Sequence, residues 1–267
     1  MSIAPKKHLS QNFLTDQGIA RKIVEALPID PASEVLEIGP GTGALTRWLA
    51  ASAARRIVAV DLDSRAIAHC KEQPWSANNR VEFVQADVRS ISPVAYFDHP
   101  PGLLLGNLPY GISSDLLFWI LENRTYVSSA VIMLQREVAR RLVAKPGSKD
   151  YGILSVAIWH GAAVETVMHV QPGSFFPKPS VTSSVVRLTM RPAPPVPVEF
   201  SAFQTFVRAA FSQRRKVLSN ALKSWAALKN RYLTDTIIPL DKTRAEELQP
   251  EELAHLFQRL SVQKKAF

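Results

Sequence analysis

SEVLEIGPGTGALTRWLA, residues 33–50, decides how the rest of the chain is read. It opens as a short apolar run that suits a buried strand and closes as a helical stretch, with Gly39, Gly41 and Gly43 between them. Glycines at that junction let the backbone turn tightly and approach a ligand at the start of the following helix. The turn alone leaves several readings open. Gly39, Gly41 and Ala44 satisfy the G-x-G-x-x-A dinucleotide fingerprint, another nucleoside cofactor would fit as well, and so would an uncommitted glycine turn.

On either side of this stretch, apolar β-rich runs alternate with helical ones. SEVLEIG, RRIVAVD, VEFVQAD, LLLGN and AVIML read as strands, with LTRWLAAS and SRAIAHCKE among the helices between them. That alternation predicts an α/β domain with a mostly parallel sheet covered on both faces. After Tyr151 the runs ILSVAIWHGAAVETVMHV and SVTSSVVRLTM are both read as extended, so the sheet is expected to end in an antiparallel hairpin. Prolines 192, 194, 195 and 197 mark 191–200 as a stiff linker. Beyond it, Phe203, Phe206, Val207, Ala210 and Phe211 form one apolar helix face. The expected division is a ligand-binding domain over 1–190 and a small all-helical domain over 201–267.

The net charge is +9, and residues 191–267 hold 13 basic against 7 acidic side chains. Such an excess suits a polyanion, because each phosphate neutralised by Lys or Arg releases condensed counterions. Arg208, Arg214, Arg215 and Lys216 lie on or just past the apolar-faced helix and are expected to project into solvent as nucleic-acid contacts. Cys70 is the single cysteine, which excludes an internal disulfide and CxxC metal sites. No metal site is expected. No apolar run approaches the roughly 18 residues of a membrane span, and MSIAPKKHLSQNF lacks a leader's apolar core. A soluble cytoplasmic protein is expected.

Open parallel sheets bind ligands at the carboxyl ends of their strands. Asp61 ends the second strand, where a carboxylate can accept from both hydroxyls of a ribose, and Asp87 follows the third, where an acceptor suits an adenine's amino group. The fourth strand ends in Asn107-Leu108-Pro109-Tyr110. An exocyclic aromatic amine is a poor nucleophile because its lone pair is delocalised into the ring. Acceptors aimed at its two N–H bonds favour the pyramidal nitrogen that attacks a methyl cation equivalent. Asn107 Oδ1 and the Leu108 carbonyl can supply them, with Tyr110 stacking on the base. Asn cannot take up a proton, so its role is positional and electrostatic.

At this point the chain resembles the KsgA-type ribosomal RNA adenine dimethyltransferases over nearly its whole length. The resemblance is carried by QNFL at 11–14, EIGPGTGALT, Asp61, ADV at Asp87, NLPY, MLQREVARRLVAKPGSKDYG, FFPKPSVTSSVVRL and AFSQRRKVL. It implies a class I methyltransferase fold, S-adenosylmethionine as cofactor, and a cofactor site of Asn12, Leu14, Gly39, Asp61, Asp87 and Asn107. Asn107 to Tyr110 would hold the target adenine, with Phe175 of the F-x-P-x-P-x-V pattern as a second stacking face. The implied reaction is N6,N6-dimethylation of two adjacent adenosines in a 3′-terminal hairpin loop of small-subunit RNA. The substrate would be free rRNA or an assembling 30S particle, and the enzyme a monomer. Gly111 and Asp115 depart from the family's usual NLPYN and following proline. Two alternatives stand beside this reading: a nicotinamide-dependent oxidoreductase and a noncatalytic RNA-binding assembly factor.

Overall fold

A computed structural model describes residues 11–229 and 237–262. In chain order it contains β1 (Phe13–Leu14), α1 (Gln17–Glu25), β2 (Glu34–Ile38), α2 (Thr46–Ala50), β3 (Arg56–Asp61), α3 (Ser64–Lys71), β4 (Val81–Gln85), β5 (Gly102–Asn107) and α4 (Ser113–Glu122). There follow β6 (Val127–Gln135), α5 (Arg136–Leu142), α6 (Ile153–Gly161), β7 (Ala162–Val170), β8 (Phe175–Phe176), β9 (Ser183–Met190), α7 (Phe200–Phe211), α8 (Leu218–Ala221), α9 (Lys223–Leu228) and α10 (Pro250–Val262). The chain divides into two compact units. One runs to Ala139 and resumes over Ala163–Met190, and the other takes Arg140–Ala162 and the chain from Arg191 onward.

The first unit is built on a seven-stranded sheet ordered β4-β3-β2-β5-β6-β9-β7. Strands β4, β3, β2, β5 and β6 are parallel, as the alternating pattern predicts, and β9 is antiparallel to β6. Every residue of β2 is buried, as is β5 up to its last residue, because helices cover both faces. From β2 the chain first builds outward through β3 and β4, then returns to place β5 on β2's other side. That reversal opens a crevice beyond the carboxyl ends of β2 and β5, the usual ligand position in such sheets. Ile38 is in register with Gly106, so the glycine turn after β2 lies next to Asn107. A separate two-stranded sheet pairs β1 with β8, Phe13 opposite Phe176 and Leu14 opposite Phe175.

In the second unit α7 buries Phe203, Phe206, Val207 and Ala210, as its spacing predicts, against Trp225, Leu253 and Phe257. Glu199 caps this helix by accepting from the Ser201 and Ala202 amides.

Two expectations are corrected here. The stretch after Tyr151 is helical over Ile153–Gly161 before β7 begins. A helix buried on nearly all sides shows no polar face, and its β-branched residues imitate a strand. The proline-rich 191–200 segment is no free linker. Val196 and Val198 are buried in the core of the second unit, which also claims 140–162 from the domain the sequence assigned to 1–190.

Candidate active site

A cavity of about 330 Å³ lies at the switch point of the first unit, lined by the QNFL segment, the glycine turn and the ends of β3, β4 and β5. The glycine turn is shaped by its sequence. Gly41 and Gly43 have φ of +55° and +77°, a left-handed backbone that other residues adopt only with strain. A Cβ on Gly41 would stand 3.0 Å from the Phe13 ring, and one on Gly43 would stand 2.4 Å from Trp75. The Gly39 amide donates to the Val60 carbonyl at 2.9 Å, fixing the turn to the end of β3.

Asp61 reaches this turn from β3. Its Oδ2 accepts from the Gly41 amide at 3.3 Å and its Oδ1 from the Asp63 amide at 2.8 Å. Burial raises its pKa, with those amides pulling in the opposite direction. One position further, Leu62 exposes its side chain at the cavity edge. Asp87 also lines the cavity, but its carboxylate is not idle. Oδ1 accepts from the Arg89 amide and Nε, both at 3.0 Å, and Oδ2 accepts from Nη2 at 2.7 Å. Arg89 therefore holds the Asp87 carboxyl below the usual carboxylate range.

Asn107 is oriented by a contact the sequence does not announce. Its Nδ2 donates to the Asn12 carbonyl at 3.0 Å. Only the amide nitrogen can satisfy a carbonyl acceptor, so the bond settles which way the side chain faces and leaves Oδ1 as an acceptor. The Leu108 amide donates to Met133 O at 3.2 Å, and the Ile112 amide closes a turn onto Pro109 O at 3.2 Å. Tyr110 shares a 2.6 Å hydrogen bond with Ser183, and burial raises its pKa. Of the candidate residues, Asn12, Leu14, Gly39, Asp61, Asp87, Asn107, Leu108 and Tyr110 meet around one cavity. Phe13 of the QNFL segment also lines it, as does Arg89, which the sequence does not single out.

Phe175 lies elsewhere. It is 4 % exposed and packs among Leu14, Met133, Val170 and Val185, whereas its neighbour Phe176 is 63 % exposed. The two-residue strand alternates its side chains, and pairing with Leu14 turns Phe175 inward. Its expected role as an open stacking face is thereby corrected. In the second unit, Arg208, Arg215 and Lys216 are exposed as expected. Arg214 is exposed too, with its donors committed: it pairs with Glu246 and donates to the carbonyls of Lys149 and Ser148 at 2.9 and 3.1 Å.

A family model described as ribosomal RNA adenine dimethylase matches residues 4–261. The chain belongs to this family. The family's name carries its reaction, methylation of ribosomal RNA adenines, for which S-adenosylmethionine is the methyl donor. The ribosomal RNA small subunit methyltransferase A of Ruegeria pomeroyi is 39 % identical over 263 residues, 97 % of this chain and 93 % of that protein. Its counterpart from a Geobacillus species is 40 % identical over 264 residues, 94 % and 90 % of the two chains. Among solved structures, a dimethyladenosine transferase from Plasmodium falciparum superposes with a TM-score of 0.74 at 26 % identity, covering 92 % of this chain and 96 % of that one. The 23S rRNA methyltransferase ErmE gives 0.66 at 30 % identity, covering 93 % and 99 %. As an adenine dimethylase, the chain leaves the nicotinamide and noncatalytic alternatives without support.

Proposed function

We propose that this adenine dimethylase transfers methyl groups from S-adenosylmethionine to the N6 amines of two adjacent adenosines in the 3′-terminal hairpin loop of small-subunit rRNA. The cavity residues fit the cofactor. Asp61 offers a carboxylate already aligned by two amides for a ribose, Asp87 offers an acceptor for an adenine, and the tight turn at Gly41 leaves backbone rather than side chains facing the ligand. When bound, S-adenosylmethionine supplies an electrophilic methyl on a sulfonium.

The observation that carries the reading is the bond from Asn107 Nδ2 to the Asn12 carbonyl. It presents Oδ1 as one acceptor for the N–H bonds of a target amine, and the backbone carbonyl of Leu108, the next residue, is the second. Acceptors placed before the reaction stabilise the developing ammonium without reorganising. The side chain cannot hold the released proton, so that proton passes to solvent after transfer. Tyr110, fixed by Ser183, forms one wall for the base, and the exposed Phe176 is the aromatic of the FFPKP segment available to a base. Arg208, Arg215 and Lys216 serve as phosphate contacts. The enzyme works as a cytoplasmic monomer on free small-subunit rRNA or on an assembling 30S particle.

The test is transfer of labelled methyl groups into unmodified small subunits and into free small-subunit RNA, followed by nucleoside analysis. N6,N6-dimethyladenosine in the 3′-terminal hairpin is the expected product. Label elsewhere, or in no adenosine, would refute the proposal.

A further inference from the structure

The Asp87 fork is one of two. Asp63, two residues past the end of β3, makes the same arrangement with Arg65: Oδ1 accepts from the Arg65 amide at 3.2 Å and from Nε at 3.0 Å, and Oδ2 accepts from Nη2 at 2.6 Å. Both are Asp-x-Arg sequences immediately beyond a strand of the parallel sheet, and in both the aspartate caps the helical turn that carries its arginine. The Asp63 amide in turn donates to Asp61 Oδ1. One fork therefore stands behind the ribose acceptor, while the other acts directly on the acceptor for the base.

A carboxylate offers about four lone-pair positions. Arg89 occupies three of those on Asp87, two at Oδ1 and one at Oδ2. One acceptor position remains, at Oδ2. The arginine is itself braced from outside, with Nη1 3.9 Å from Asp115 Oδ2 in the first turn of α4.

We propose that Arg89 is a positioning residue that sets the enzyme's preference for an adenine-bearing cofactor, by holding Asp87 so that a single oxygen, Oδ2, is presented to the exocyclic amine. The proposal rests on the reading of this cavity as the S-adenosylmethionine site. Adenine carries an N–H donor at C6, which a fixed carboxylate accepts. Hypoxanthine carries a carbonyl there, and two acceptors then face each other. A carboxylate free to rotate into solvent would enforce this difference less strictly, because it can withdraw from the unfavourable contact and is less often in place for the favourable one. The lowered pKa of Asp87 has the same origin, the hydrogen bonds from Arg89 to its carboxylate.

The experiment is calorimetric and needs no turnover. Binding of S-adenosylhomocysteine and of its deaminated analogue S-inosylhomocysteine is measured with the unaltered enzyme and with Arg89→Leu, Arg89→Lys and Asp115→Asn. The unaltered enzyme should prefer the adenosyl compound by roughly tenfold or more, the scale of one charge-assisted hydrogen bond exchanged for an acceptor clash. Arg89→Leu should reduce that preference to about threefold or less. Arg89→Lys should resemble it, because an ammonium cannot make the two-pronged contact. Asp115→Asn leaves the fork in place and should keep the preference. A general loosening of the fold would weaken both compounds together and preserve their ratio. An unchanged ratio in either Arg89 variant overturns the role of Arg89. If the unaltered enzyme binds neither compound, the assignment of the cavity fails, and this inference with it.

Discussion

Glu37 is a carboxyl placed where a carboxylate is costly. It lies in the middle of the buried strand β2, 1 % exposed, and neither oxygen makes a hydrogen bond of ordinary geometry. Burial raises its pKa from an ordinary 4.5 to about 8, with Asp61 pushing the same way and Thr46 only partly opposing. The folded chain thus holds this proton more tightly than the unfolded chain does. The resulting stability is complete below the ordinary carboxyl range and is lost as pH rises through about 8. In between, each pH unit removes roughly 1.4 kcal/mol, or about 3 kcal/mol between about pH 5.5 and pH 7.5. Glu37→Gln keeps the shape and removes the titration. The free energy of opening can be read from hydrogen exchange of the β2 and β3 amides, corrected for intrinsic rates, at both pH values. The variant should gain on the unaltered protein by about 3 kcal/mol over that interval, because the groups that do not interact with Glu37 contribute equally to both. If the difference between the two proteins is the same at pH 5.5 and 7.5, Glu37 does not carry a proton in the folded state and the argument from its burial is wrong.

Asn107→Ala removes one amine acceptor and the tie to Asn12. Turnover should drop by roughly 10²–10³ while cofactor binding weakens by only about 1 kcal/mol, and near-normal turnover would end the assignment. Asp61→Ala should act the other way, raising the cofactor's Kd by roughly ten- to a hundredfold with a smaller loss at saturation, measurable by calorimetry. Gly43→Ala forces a left-handed residue against Trp75 and should lower stability by about 1–3 kcal/mol in urea unfolding. In the second unit, Arg215→Ala with Lys216→Ala should flatten the slope of log RNA affinity against log salt by roughly one unit per charge removed. Arg214→Ala should instead lower the melting temperature, since its donors are committed to Ser148, Lys149 and Glu246.

Legibility followed the kind of interaction involved. The parallel strands could be read because burial on both faces leaves short uninterrupted apolar runs, and Asp61 and Asn107 because strand ends are where polar residues become conspicuous. Helix Ile153–Gly161 reads as a strand because nearly complete burial erases the periodicity that distinguishes the two. The inward turn of Phe175 depends on its pairing with Leu14, more than 150 residues away, which no local pattern encodes. Arg214 and Arg89 look like free charges in a sequence, yet their partners are settled by tertiary structure in one case and by a helical turn in the other. The Asp-x-Arg spacing was the one visible signal for Arg89, and it gains meaning only when Asp63–Arg65 is seen to repeat it.

The small sheet joining β1 to β8 has a consequence for synthesis on the ribosome. The Asn12 carbonyl that orients Asn107 adjoins a strand whose pairing partner among the described residues is Phe175–Phe176, and the Thr15 amide is tied to Ser174. A nascent chain has made the glycine turn, Asp61 and Asn107 long before those residues emerge. Until they do, the QNFL segment has no strand to pair with, and the Asn12 carbonyl is not yet held beside Asn107. The central parallel strands can therefore be in place while the centre is still inert. On the proposed reading of the site, methyl transfer waits until the FFPKP segment has left the exit tunnel and paired with the QNFL segment.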